Sequence, residues 1–185
     1  MQLGVLVSLG LIAAILHSAL KLRLGIPGHS AVLWLTPLLV GRFLSPLAGA
    51  ASVASTSAAV SLYALGGLSF RWPLALSFGT FWLVGPVLDL YVLFAQRLTH
   101  VAGSKALGLV SVALAGVVGN FAHLALKAGF GAIGVHAPGL GLPRGAFEGV
   151  TYFAFGLAAG LSAWGLLRLH ARRTDLSRHA PPTGG

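Results

Sequence analysis

The chain contains no cysteine, so disulfides, thiolate-held metals and thiol redox chemistry are excluded. Acidic residues are almost as scarce: Asp89, Glu148 and Asp175 are the only three. There is no His-Glu-x-x-His run, no Gly-x-Ser-x-Gly elbow, no pair of glutamates and no phosphate-binding loop. Without an ATP-binding motif, active transport by this chain would need a partner or an ion gradient. The first apolar block has no basic residue before it and no clear small-x-small cleavage site after it, so it is expected to be a retained helix, not a cleaved signal.

What fills the chain instead is apolar. Hydrophobic residues make up 56% and charged residues 8%, where a soluble domain carries about a quarter charged. Mean hydropathy is +0.89. The apolar residues run in helix-length blocks without the dyad alternation of an outer-membrane barrel. The fold class expected is an all-α integral membrane protein, a compact bundle of six transmembrane helices. The net charge of +9 comes from basic residues standing singly between apolar blocks, as loop anchors do at headgroup level, so no nucleic-acid partner is expected.

The spans are expected at roughly Leu3–Leu20, Ser30–Leu44, Leu47–Leu65, Leu74–Phe94, Lys105–Gly129 and Phe147–Leu169. Residues 1–170 then form one transmembrane domain and residues 171–185 a polar, disordered tail ending Pro-Pro-Thr-Gly-Gly. Six spans put both termini on one side. Arg168, Arg172, Arg173 and Arg178 make the C-terminal segment the most basic, which predicts cytoplasmic termini in a multi-pass cell (inner) membrane protein.

The fifth span carries the chain's most unusual pattern. Asn120, His123 and Lys127 are spaced by three and four residues, on one face of an otherwise apolar helix. Such side chains need a polar partner or water. They predict one wall of an outward pocket that receives a small solute; snorkelling of Lys127 and helix-to-helix hydrogen bonds are the structural alternative. Glu148 opens the sixth span on the same side, either near the ligand, paired with Lys127 or Arg144, or stabilising its own helix N-terminus. His29, Arg71 and Trp72 are the loop candidates for ligand contact. Asp89 is the one acid in mid-span; it predicts an interhelical pair, with His17 or Arg42 as partner, over a proton or cation site. His17 and His123 as haem ligands, or His29 or His136 with Glu148 as metal ligands, lack a ligand-spacing motif, so no cofactor or metal is expected. Gly10, Ala14 and Ser18 form a small-residue face, for packing within the bundle or for docking a partner membrane protein.

The layout resembles the substrate-binding S-components of energy-coupling factor (ECF) transporters. The resemblance rests on six short helices in under 200 residues, on Gly41-Arg-Phe-Leu-Ser-Pro-Leu-Ala-Gly49 joining helices two and three, and on the Tyr152–Ala163 stretch of the last helix. It implies a membrane subunit that captures a vitamin or a metal from the outer side; the start Met1-Gln2-Leu3 lacks the Met-His of the nickel/cobalt members, so with the stripe on the fifth span the expectation is a non-enzymatic subunit for a small vitamin-like or anionic solute. It also implies a transmembrane coupling protein and cytoplasmic ATPases as partners. The family docks through Ala-x-x-x-Ala on helix one; the nearest matches here are Gly10-x-x-x-Ala14 and Ala14-x-x-x-Ser18. Two other classes stay open: a non-catalytic structural subunit of a larger membrane complex, and a small intramembrane enzyme using His123, Asp89 or Glu148 as acid or base.

Overall fold

A computed structural model describes residues 2–19, 26–65, 72–102, 105–132 and 146–179, without the side chains of 19, 72–77, 98–102, 105–106, 131 and 175–179. The described residues form six helices: α1 (Gln2–Ala19), α2 (Ala31–Leu44), α3 (Ala50–Leu65), α4 (Trp72–Ala102), α5 (Lys105–Ala132) and α6 (Ala146–His179). Turn chemistry sets the breaks. Gly28, at φ +77°, turns the chain into α2 in the left-handed region that favours glycine. Ser45 leaves α2 in extended backbone, as the residue before Pro46 must.

The all-helical, apolar architecture agrees with expectation; the set of six bilayer-length spans does not. Among the described residues, three stretches are long and apolar enough to cross a membrane: Phe78–Arg97, Leu107–Phe130 and Ala146–Thr174. Gln2–Ser18, Ala31–Leu44 and Ala50–Leu65 are shorter. At 1.5 Å rise per residue α2 reaches only about 21 Å, against a hydrocarbon thickness of about 30 Å. The sixth helix departs in the other direction. It continues to His179, through much of the segment expected to be a disordered tail.

The helices alternate in direction, as the cross-helix contacts show. Tyr63 near the end of α3 meets Phe78 near the start of α4. Asn120 late in α5 meets Tyr152 early in α6, and Gly108 early in α5 meets Trp164 further along α6. The short α2 is the most enclosed element, packed against α1, α3, α5 and α6. Trp34, Leu35, Leu38 and Leu39 are fully buried there. A helix shielded by longer neighbours does not itself have to match a bilayer.

Small residues permit the closest crossings. A Cβ added to Gly10 would lie 2.8 Å from Ser57 Cβ and 3.0 Å from the backbone nitrogen of Ala58 in α3. Ser57 Oγ donates to the Val7 carbonyl at 2.9 Å across the same crossing. Ala14 is fully buried, and Ser18 Oγ turns back onto the Ile15 carbonyl. Of the two uses the sequence offers this face, packing within the bundle is the one seen at Gly10, and Ala14 is buried as well. Gly10→Leu is expected to cost about 1–3 kcal/mol, because backbone on α3 must move to admit the side chain. Thermal unfolding in detergent measures this, and an unchanged midpoint would show that the crossing yields freely.

At the end of the bundle holding the α2 C-terminus and the α3 N-terminus, Asp89 finds its partner. Its Oδ1 lies 2.8 Å from Arg42 Nε, in an ionic contact with both side chains nearly excluded from solvent. The carboxylate also accepts from the Ala51 and Ser52 backbone N–H groups, at 3.1 and 2.8 Å, and from Ser52 Oγ at 2.6 Å. A side chain on α4 thus caps the first turn of α3, where free N–H groups and the helix dipole favour a negative charge. Of the two partners the sequence suggests for Asp89, Arg42 is the one that meets it.

Candidate functional site

The opposite end gathers the α1 C-terminus, the α2 N-terminus, the first half of α4, the second half of α5 and the start of α6. Four helices send rings into one buried cluster. Trp34 lies 4.7 Å from Phe81 and 5.2 Å from His123 between ring centroids. Phe81 also meets His17 at 4.9 Å and His123 at 5.8 Å. His123 is the α5 stripe's member in this cluster, and Asn120 and Lys127 share its helical face because i, i+3 and i+7 recur there.

Asn120 is 1% exposed and His123 5% exposed. Asn120 Nδ2 donates to the Tyr152 carbonyl on α6 at 2.8 Å. That carbonyl can only accept, so it orients the amide and leaves Oδ1 on the other side. Asn120 Oδ1 and His123 Nδ1 are both buried without a hydrogen-bond partner among the described residues. Leaving a buried polar atom unpaired costs about 1–3 kcal/mol, and these two lie in adjacent turns of α5.

Lys127 and Glu148 are half-buried one turn further out and interact electrostatically across the α5–α6 boundary. Lys127 and His17 each act electrostatically on His123, and Glu148 acts on Tyr152. Of the residues singled out in the sequence, Asn120, His123, Lys127 and Glu148 therefore share one end of the bundle. His29 lies at the same end, just before α2, but none of its contacts is with those four. Its Nδ1 meets the Ile26 carbonyl within its own turn, and its ring lies edge-on to Phe155 at 6.4 Å. Arg71 lies outside the described residues, as does the side chain of Trp72, whose backbone opens α4. Ser18 sits near His17 but is tied to its own helix.

Trp34 and Phe81 are absent from the sequence-derived candidates. Buried aromatics in apolar helices carry no local signal that distinguishes a binding wall from ordinary core. The close α5–α6 crossing beside the cluster does carry one. Gly156-x-x-x-Gly160 has the small-xxx-small spacing of membrane helix pairs, and Gly116 faces both glycines. Around the cluster, Thr36 Oγ1 donates to the buried Ala159 carbonyl at 3.3 Å, tying α2 to α6.

Asp89 is engaged at the other end of the bundle, so it is not a partner for His123 in acid–base chemistry. Among the described residues, no three His, Cys, Asp and Glu side chains cluster as a metal site would require. The architecture and the placement of its polar groups define an all-helical membrane protein with a polar–aromatic cluster at one end. Comparison with protein families, with curated proteins and with solved structures finds no match.

Proposed function

We propose that the chain is a membrane-embedded solute-binding protein and serves a transporter as its recognition subunit, in the manner of an ECF S-component. The observation that carries this reading is the pair of buried, unpartnered acceptor-capable atoms, Asn120 Oδ1 and His123 Nδ1, with the His123 ring packed against the rings of Trp34 and Phe81. A small solute with an N–H or O–H donor and a flat or apolar face would satisfy both features. Lys127, next along the stripe, suits an anionic group on such a solute. In this reading all six helices cross the membrane, with the short α2 and α3 sheltered by neighbours and exposed Leu3, Val7, Leu11 and Ile15 of α1 meeting lipid. The termini are cytoplasmic, and the cluster opens outward. Because Gly10 is already used against α3 and Ala14 is buried, a coupling protein would dock on another face.

A second reading is favoured by one specific contact. The Asn120–Tyr152 bond and the glycine crossing beside it are what a purely structural subunit would use to hold α5 and α6 together.

The two readings separate on the solute. The chain is purified in mild detergent and its small-molecule content extracted and identified by mass spectrometry. Wild type is expected to carry a stoichiometric solute that His123→Phe loses while its circular dichroism and melting midpoint stay close to wild type. A wild-type protein that carries only lipid and detergent, with His123→Phe destabilised, would favour the structural subunit.

A further inference from the structure

We infer that the end of the bundle opposite the polar–aromatic cluster holds a specific anionic phospholipid. A cavity of about 290 Å³ lies between the start of α1, the end of α2 and the far part of α6. Val5, Leu6 and Leu44 give it apolar walls, while Gln2 and His170 supply polar groups. That combination fits an acyl chain with its headgroup at the polar end, since chain and headgroup need opposite surroundings within a few ångströms.

The charge around it selects the headgroup. His170, which lines the cavity, and Arg173 are three residues apart on α6, so they share a helix face. Arg168, Arg172 and Arg173 are all exposed along the same part of α6. Two of the three acids are spent elsewhere: Asp89 is bound to Arg42 within the bundle, and Glu148 is at the opposite end; the third, Asp175, stands against Arg168, Arg172, Arg173 and Arg178 in the same segment, which stays net positive. The neighbouring Arg42, although next to the cavity-lining Gly41, is turned inward and adds nothing to headgroup binding. A basic α6 extension over an apolar groove complements a lipid phosphate. A free phosphate would leave the apolar walls unused.

Arg172 is the internal control. It is one residue from Arg173 but points about 100° away around the helix, off the cavity face. General attraction of a basic helix to an anionic surface would depend on both arginines equally; a built site depends on Arg173 and His170.

The test uses the full chain purified in neutral detergent and exposed to an equimolar mixture of phosphatidylglycerol and phosphatidylcholine, with native mass spectrometry reading the lipid retained. Wild type is expected to retain one phosphatidylglycerol in about fivefold or greater preference, the scale of one basic residue near a headgroup. His170→Gln with Arg173→Gln is expected to abolish the preference, and Arg172→Gln to keep it. Leu44→Trp, at a partly exposed helix end, fills the groove and is expected to lose the lipid; Val5→Trp on the facing wall gives the same reading if Leu44→Trp does not fold. Equal retention of both lipids by wild type overturns the site. So does an Arg172→Gln effect as large as that of Arg173, full retention in the groove-filling variants, or displacement by soluble glycerol phosphate as readily as by lipid.

Discussion

Asp89→Ala is expected to lower stability by about 3–5 kcal/mol, the cost of leaving a buried charge without its partner. Arg42 is 3% exposed and cannot reach water without moving its helix end. The same substitution strips the first turn of α3 of its cap. The Ala51 and Ser52 N–H groups and Ser52 Oγ all lose their acceptor, and a lost cap by itself costs about 1 kcal/mol. Asp89→Asn should fall between wild type and alanine, because an amide oxygen still accepts from α3 but no longer balances Arg42. Combining Asp89→Leu with Arg42→Met removes both charges together, so the double variant should be less damaged than the sum of the two singles. Thermal unfolding of all four proteins in one detergent measures the cycle. Strictly additive effects would show that the 2.8 Å contact contributes no coupling.

Gly160→Leu is expected to be as damaging by an unrelated route. A Cβ at this position would stand 2.6 Å from both the Ala113 Cα and the Val112 carbonyl oxygen. Those are backbone atoms of α5, so no rotamer change makes room. Even Gly160→Ala should cost about 1–3 kcal/mol, the usual penalty of overpacking, and leucine more. Forcing α5 from α6 also strains the Asn120–Tyr152 bond two turns away, so the polar–aromatic cluster should loosen along with the crossing. Gly165→Ala is the control on the same helix. Nothing lies within 4 Å of its added Cβ, and removing a helix-interior glycine should leave stability unchanged or raise it by up to about 1 kcal/mol. Melting midpoints of the three variants read the contrast. If Gly160→Leu and Gly165→Ala behave alike, the tight crossing is not a determinant of the fold.

The two positions differ in how much of their role the sequence discloses. Asp89 stands out because a carboxylate in an apolar helix demands a partner, and Arg42 is one of the two residues the sequence offers it. Gly160 is one of 26 glycines. Its spacing from Gly156 marks a close contact, but not which helix makes it. The stripe of Asn120, His123 and Lys127 is legible for the same reason as Asp89: spacing along one helix fixes which side chains share a face. What that face meets is not legible, since Trp34 and Phe81 come from α2 and α4 and look like ordinary core residues in their own segments.

Local chemistry alone determined that the chain is helical, apolar and broken into six segments at glycine and proline turns. It also determined that the polar residues of α5 point one way. These follow from hydropathy, periodicity and turn propensity, which depend only on near neighbours in the chain. The tertiary structure decided the rest. Among the described residues only three stretches are long and apolar enough to cross a membrane, and α2 stops at the extended Ser45 before Pro46. Gly10 is spent on α3, Ala14 is buried, and α6 runs on to His179. The enclosure of Asn120 and His123 beneath rings from other helices is likewise a long-range outcome. It depends on how helices of opposite direction stack, which spacing within one helix does not encode.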